Sequence, residues 1–281
     1  MNYHLHENGW TVIVDNFDLK KSTQEDINLI AKLIAKYTCV VLRGQFLSIT
    51  EELRVLKMFK NPEPLYKNTD PDFKQYAADP DQDPEGIMCR VTGELRDSKP
   101  GLAGWNEELV WHCNHTHRED RRPIIWLSGI RGTMGSRTSW NNTILAYADL
   151  DQEMKDKIKD IKCIYAGGMK LAEDRGDPKY LSGVWTPPLV HINLANNIGM
   201  YFSPLQLHSF VGMSKEETAK ITTPLFEHVT KEKYLYHHDW EDGDIVIAEQ
   251  WLGIHKRWPF EGMPNRLLHR AALDFPDQNY T

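Results

Sequence analysis

A mainly β architecture with flanking helices (α+β), built on a jelly roll or related double-sheet barrel, is what the sequence predicts. Short apolar runs recur between Gly, Pro, Asn and Asp clusters, and helical periodicity is confined to a few segments. Strand and helix alternate only at the start, whereas a doubly wound parallel sheet needs that alternation throughout. Trp10 to Val14 reads as a strand. Ser22 to Tyr37 follows as a helix, with Ser22 and Glu25 in capping-box spacing and Ile27, Ile30 and Ile34 on one face. Cys39 to Leu42 suits a buried strand, and Ser48 with Glu51 opens a second helix through Leu53, Leu56 and Phe59.

From residue 61 to about 105 the pattern breaks into Pro, Asp and Gly, with one strand near Ile87 to Val91. So long an irregular stretch predicts a lid over a site, against the plainer reading of a solvated acidic loop. Beyond it, Ile124 to Gly129 is a strand, Gly135 to Asn142 a turn, a strand and a helix start, and Leu150, Met154, Ile158 and Ile161 a core stripe at helical spacing. Val190 to Phe202 predicts strands broken by Asn and Gly. Ser214 with Glu217 caps a helix that Pro224 should kink or divide. The turn Glu241 to Asp244 then leads into the strand Ile245 to Ala248. There is no internal repeat and no linker, so residues 1–281 are read as one domain.

The chain has 281 residues, 41% of them apolar, enough for a sizeable core. A net charge of −7 without a Lys/Arg block argues against nucleic acid and leaves a small-molecule partner as the expectation. Cys39, Cys89, Cys113 and Cys163 form neither a CxxC nor a short pairing, which fits a reducing cytoplasm. No run approaches the roughly 18 apolar residues of a membrane span, and the N-terminus does not resemble a secretory signal.

Chemistry concentrates in two places. Trp111 to Asp120, WHCNHTHRED, holds three histidines within six positions. In an extended strand His112 and Asn114 share one face, and His115 and His117 the other. Near the C-terminus, Arg266, Leu268 and Arg270 would share a strand face, and two guanidinium groups so placed can hold a dicarboxylate through charge-assisted bonds. Singly, such histidines are mostly structural and such arginines mostly surface partners. A zinc hydrolase using His112, His115 and His117 would need a bent strand and leave both arginines without a task.

In combination with His112 and Thr138, these residues resemble the TauD/TfdA group of Fe(II)-dependent oxygenases. The likeness runs through VVLRGQ at Val40 to Gln45, WHCN at Trp111 to Asn114, GSRTSW at Gly135 to Trp140, GMSKEE at Gly212 to Glu217, Gly243-Asp244, and His255 followed by NRLLHRAAL. The resemblance implies a double-stranded β-helix whose open end holds Fe(II) and 2-oxoglutarate, with O2 as co-substrate. It implies His112 and His255 as metal ligands, Arg266 and Thr138 on the distal carboxylate of 2-oxoglutarate, and Arg270 near its metal-bound end or the substrate. Oxidative decarboxylation to succinate and CO2 would then drive hydroxylation of an unactivated C–H bond of a small molecule. Homo-oligomers occur among such relatives, and the resemblance extends that expectation here.

One position departs from the pattern: where the family has an aspartate two residues after the first histidine, this chain has Asn114. A carboxamide oxygen can ligate, but it is neutral and a poorer donor. Asn114 is read as a third, weaker ligand, and Asn114→Asp is expected to tighten Fe(II) binding. A halogenase-type variant, in which an anion takes the vacated place, and a jelly-roll binding protein without turnover are the alternatives. Glu119 or Asp120 could supply a carboxylate only against the strand geometry. Asn106, Glu108, Trp111 and His115 are the candidate substrate contacts, and the acidity of Glu107 and Glu108 with that of the lid hints at an amine-bearing substrate. Cys113 is read as a small core residue.

Overall fold

A computed structural model describes residues 1–104, 106–168, 175–177 and 183–281. The chain opens as β1 (Asn2–Leu5), β2 (Thr11–Asp15), α1 (Gln24–Tyr37), β3 (Cys39–Leu42) and α2 (Ile49–Met58). Then come α3 (Phe73–Tyr76), β4 (Cys89–Val91), β5 (Leu109–His112), β6 (Ile124–Arg131), β7 (Arg137–Asn141), α4 (Thr143–Ala148) and α5 (Gln152–Ile158). Strands β8 (Cys163–Ala166), β9 (Val184–Trp185), β10 (Val190–Ile192), β11 (Ile198–Met200) and β12 (Leu207–Phe210) lead to helix α6 (Lys215–Val229). The last strands are β13 (Leu235–Asp239), β14 (Ile245–Glu249), β15 (His255–Arg257) and β16 (Leu267–Leu273).

Two sheets make the jelly roll. The larger has the order β1-β2-β3-β14-β6-β16-β4, and the smaller β13-β7-β15-β5. Period-2 alternation divides the larger sheet's side chains between two cores. Val40, Leu42, Trp126, Ile245, Ile247, Ala271 and Leu273 turn outward onto α1 and α2, where they meet Ile27, Ile30, Ile34, Val55 and Leu56. Cys39, Val41, Ile125, Leu127, Val246, Ala248 and Leu268 turn inward and pack with Trp140 and Tyr236 of the smaller sheet. A third core, with Cys113, Ile158, Cys163, Tyr165, Phe210 and Leu225, lies beneath α4, α5 and α6. No helix among the described residues is long and apolar enough to cross a membrane.

Most predicted elements are present, and the departures have local causes. The capping box of α1 is Thr23 with Asp26, one residue later than predicted, because Ser22 closes the preceding 3-10 turn by donating its hydroxyl to the carbonyl of Leu19 at 2.8 Å. Pro224 does not divide α6, which runs unbroken through it. The exposed first strand, β1, was not foreseen, because its polar sequence NYHL carries no core signal.

Residues 61–105 have a definite internal structure in their described part. Asp83, 1% exposed, accepts from the backbone of Ile87 and Met88 at 3.2 and 2.8 Å. Gly86 has φ +68°, and a Cβ there would sit 1.6 Å from the carbonyl oxygen of Tyr66, so only glycine fits. Arg96 donates to the carbonyls of Lys74, Ala77 and Ala78, and Arg90 to those of Gln75 and Glu94. The acidity of this segment is taken up by turns and ion pairs: Asp79 accepts from the backbone of Asp81 and Gln82, while Glu63 pairs with Arg118 and Glu85 with Lys57.

The outer core has one polar pin. Glu52 of α2 is fully buried and accepts from the indole N–H of Trp126 on β6 at 2.9 Å and from Nδ1 of His269 on β16 at 2.7 Å. Glu52→Ala leaves two buried donors without an acceptor and is expected to destabilise the fold by about 3 kcal/mol. Glu52→Gln keeps an acceptor oxygen and should cost much less. Urea denaturation of both variants beside the native protein checks this; a Glu52→Ala protein as stable as the native one would mean that the pin carries no energy.

Candidate active site

β5, β15 and β7 lie side by side in the smaller sheet, and their register brings distant residues together. His255 is paired directly with His112 on one side and with Trp140 on the other. The two imidazoles are separated by 143 positions in the chain, yet their ring centroids are 4.3 Å apart. The indole of Trp140 stacks on His255 at 4.8 Å and fixes its ring plane. Nδ1 of His112 donates to the carbonyl of Val110 at 2.7 Å, which leaves Nε2 with its lone pair. Burial pulls His112 down to about 4 and His255 well below the usual imidazole range, so both rings are neutral near pH 7.

These rings open into a cavity of about 260 Å³ between the two sheets. Asn114, His115, Thr138, Arg257, Arg266 and Arg270 share its wall with Val91, Leu102, Leu109, Ile125, Leu127, Leu205, Gln206 and Leu268. The segment 61–105 thus supplies part of the wall, through Val91, Leu102 and Ala103. None of the described lining residues is acidic, and three are arginines.

Arg266 and Arg270 come from the larger sheet and face the histidines across the cavity. Period-2 alternation puts Arg266, just before β16, on the same face as Leu268 and Arg270, and the register shift beside Leu267 and Leu268 is taken up on β6. Arg266 is 1% exposed, its guanidinium lies 4.5 Å from the ring centroid of Phe260, and among the described residues its Nε and Nη1 have no acceptor. Burial pulls it down to about 9, still charged near neutrality. Buried donors without acceptors are costly. Here they suit a carboxylate supplied by a ligand. Thr138, beside them, accepts from the indole N–H of Trp240 at 3.0 Å, so its hydroxyl hydrogen is directed elsewhere.

Asn114 lies beyond the end of β5 and is held from behind. Its backbone N–H and its Nδ2 both donate to Oε1 of Gln250, at 2.8 and 2.7 Å. Two neutral imidazole nitrogens and a carboxamide oxygen suit a divalent transition metal, and the arginines across the cavity suit a dicarboxylate that chelates it. Among the described residues no group of three His, Cys, Asp or Glu could hold a metal, so neither Glu119 nor Asp120 replaces the missing carboxylate. Asp120 instead pairs with Arg118 at 3.0 Å. The histidine triad of a zinc hydrolase does not form either.

Several expected substrate contacts lie elsewhere. The strand ends at His112, and His115 takes φ +56°, which swings its ring to the cavity wall rather than to the opposite face. Trp111 points the other way from His112 and packs into the core beneath α4 and α6. Asn106 borders a separate surface cleft with Phe260 and Asn265. Glu108 pairs with Lys256 at 2.6 Å, while Glu107 contributes its backbone carbonyl to Arg257 at 2.9 Å. Cys113 is a core residue, 1% exposed, and all four cysteines are free and buried. Arg257 and Gln250 were missed by sequence reasoning. The period-2 step from His255 points to Arg257, whereas nothing in the chain couples Gln250 to Asn114.

A two-sheet jelly roll with paired histidines facing buried arginines defines the chain as an oxygenase of the iron and 2-oxoacid class. The sequence matches the family described as "Taurine catabolism dioxygenase TauD, TfdA family" over residues 3–272, and the chain belongs to that family. It is 21% identical over 272 residues to the alpha-ketoglutarate-dependent 2,4-dichlorophenoxyacetate dioxygenase of Cupriavidus pinatubonensis, covering 92% of each chain. To the (S)-phenoxypropionate/alpha-ketoglutarate-dioxygenase of Sphingobium herbicidovorans it is 19% identical over 202 residues, covering 68% of this chain and 69% of that protein. Pentalenolactone F synthase of Streptomyces arenae is 20% identical over 219 residues, with 72% of each covered. In structure it resembles AAD-2 solved with Mn(II) and N-oxalylglycine, with a TM-score of 0.80, 19% identity and 99% of both chains covered. A taurine dioxygenase from Burkholderia xenovorans superposes with a TM-score of 0.72 at 21% identity, over 95% of this chain and 86% of that one. The chain is therefore a dioxygenase dependent on Fe(II), 2-oxoglutarate and O2.

Proposed function

We propose that residues 1–281 work as one oxygenase domain that hydroxylates an unactivated C–H bond of a small molecule, with part of 61–105 closing over the site. The observation that carries this reading is the pairing of His112 with His255 across the cavity from Arg266, whose buried Nε and Nη1 have no acceptor among the described residues. In this reading Nε2 of His112, His255 and the Oδ1 of Asn114 hold the iron. Arg266 and Thr138 take the distal carboxylate of 2-oxoglutarate, and Arg270 lies towards its other end. When bound, Fe(II) supplies the oxidising chemistry: 2-oxoglutarate, O2 and R–H give succinate, CO2 and R–OH, one oxygen atom going to each of succinate and product. The protein's part is to orient the oxoacid and to keep water out with Ile125, Leu127 and Leu268.

The wall chemistry supports an anionic substrate over an amine. The described lining holds three arginines and no carboxylate, and Arg266 and Arg270 are engaged by the oxoacid in this reading. Arg257, anchored by its bonds to the carbonyls of Ala103 and Glu107, adds positive potential on the same side. Two of the relatives are named for carboxylate substrates, phenoxypropionate and 2,4-dichlorophenoxyacetate, which fits the same charge. Hydroxylation is favoured over halogenation because Asn114, held by Gln250, keeps its side chain where a halide would need room. Residence in the cytoplasm and assembly as a homo-oligomer complete the reading, and the four buried free thiols agree with a reducing compartment.

The experiment is to load the protein with Fe(II) anaerobically, add 2-oxoglutarate and a panel of aryloxy and aliphatic carboxylates, admit O2, and quantify succinate. Succinate with stoichiometric CO2, stimulated by an anionic member of the panel, is expected. Bound Fe(II) and 2-oxoglutarate without succinate across the panel would instead identify a binding protein.

A further inference from the structure

We infer that Gln250 is a positioning residue that selects asparagine over aspartate at position 114. The inference rests on the reading of Asn114 as a metal ligand and explains why an amide occupies that place. Oε1 of Gln250 lies 2.8 Å from the backbone nitrogen of Asn114. A backbone N–H can only donate, so the Gln250 atom facing it must be the carbonyl oxygen. That same oxygen lies 2.7 Å from the Asn114 carboxamide, so the amide must present its NH2 there. Oδ1 is thereby the atom turned away from Gln250, and Asn114 lines the cavity together with His112 and His255. One glutamine oxygen thus fixes the rotamer and the amide orientation together. Gln250 is itself 2% exposed and donates Nε2 to the carbonyl of Arg122 at 3.4 Å, which opposes its turning over.

An aspartate at 114 does not fit this arrangement. Its second carboxylate oxygen would face Oε1 of the buried Gln250, two acceptors in contact. Were Gln250 to flip, its NH2 would meet the backbone N–H of residue 114, and its oxygen would meet the carbonyl of Arg122. Each alternative leaves buried groups mismatched, a cost that corresponds to about tenfold or more in an equilibrium constant. The gain in metal affinity that the sequence alone leads one to expect from Asn114→Asp is therefore offset by Gln250. Asn114 and Gln250 form a matched pair in this chain.

The test is a double-mutant cycle on Mn(II) affinity without oxygen or turnover, read from the electron paramagnetic resonance signal of free Mn(II) in the presence of 2-oxoglutarate. Native protein, Asn114→Asp, Gln250→Met and the double variant are compared. Asn114→Asp alone is expected to change affinity by less than about threefold, and Gln250→Met alone to weaken it about tenfold by releasing the amide. In the Gln250→Met background, Asn114→Asp is expected to tighten binding by about tenfold or more. Equal tightening in both backgrounds overturns the role of Gln250 while leaving Asn114 as a ligand. No effect of Asn114→Asp in either background removes Asn114 from the metal, and the pairing argument with it. Should Gln250→Met fail to fold, Gln250→Ala takes its place. In the native background, tightening of more than about tenfold by Asn114→Asp alone also overturns the inference.

Discussion

Arg266→Ala is expected to raise the KM for 2-oxoglutarate roughly ten- to a hundredfold while the protein stays folded. The guanidinium is 1% exposed, and among the described residues its Nε and Nη1 have no acceptor, so in the proposed reading the cosubstrate carboxylate would satisfy them. A hydrogen bond to a charged group is worth about 1.5–3 kcal/mol, and the affinity range follows from that figure. Removing the side chain also relieves the burial of an unmatched cation in the free protein, so stability should hold or rise. Arg266→Lys is expected to recover only part of the loss, because an ammonium supplies charge without the planar fork that meets both carboxylate oxygens. Steady-state succinate formation against 2-oxoglutarate concentration checks both variants. An unchanged KM would take Arg266 out of the cosubstrate site.

The second large effect is on the metal. His112→Ala and His255→Ala are each expected to weaken Fe(II) binding by at least about a hundredfold, since altering even an outer partner of a ligand costs ten- to a hundredfold. The fold should tolerate the exchanges differently. His255 stacks on Trp140 and sits between two strands, so its loss opens a small gap, whereas His112 loses a bond to the carbonyl of Val110. Equilibrium dialysis of Fe(II) under anaerobic conditions, with circular dichroism as a control for folding, separates the two effects. Retention of tight binding in a folded His255→Ala protein would place the metal elsewhere.

The jelly roll was legible in the short strands and turn signals, and strand periodicity put Arg266 and Arg270 on one face; the meeting of these arginines with His112, Thr138 and His255 was expected only through the resemblance to the TauD/TfdA group. What escaped depends on where strands stop. His115 was assigned to the far face by continuing a regular strand, yet β5 ends at His112 and a positive φ returns His115 to the cavity. Trp111 obeyed the alternation and so faced away from the site it adjoins. The acidity upstream suggested an amine partner, but Glu108 is neutralised by Lys256 and Asp79 and Asp83 cap turns. Local charge counts do not say which carboxylates reach a cavity. Gln250 contacts Asn114 from 136 residues away, a relation that only the folded chain brings into view.

Anaerobic crystals grown with Fe(II) and 2-oxoglutarate, with iron located by anomalous scattering, address the account most directly. The account predicts one iron per chain bound by Nε2 of His112 and by His255, with Oδ1 of Asn114 completing the protein's share and the far carboxylate of 2-oxoglutarate on Arg266. Iron bound away from either imidazole, or a 2-oxoglutarate whose far carboxylate does not meet Arg266, would contradict it.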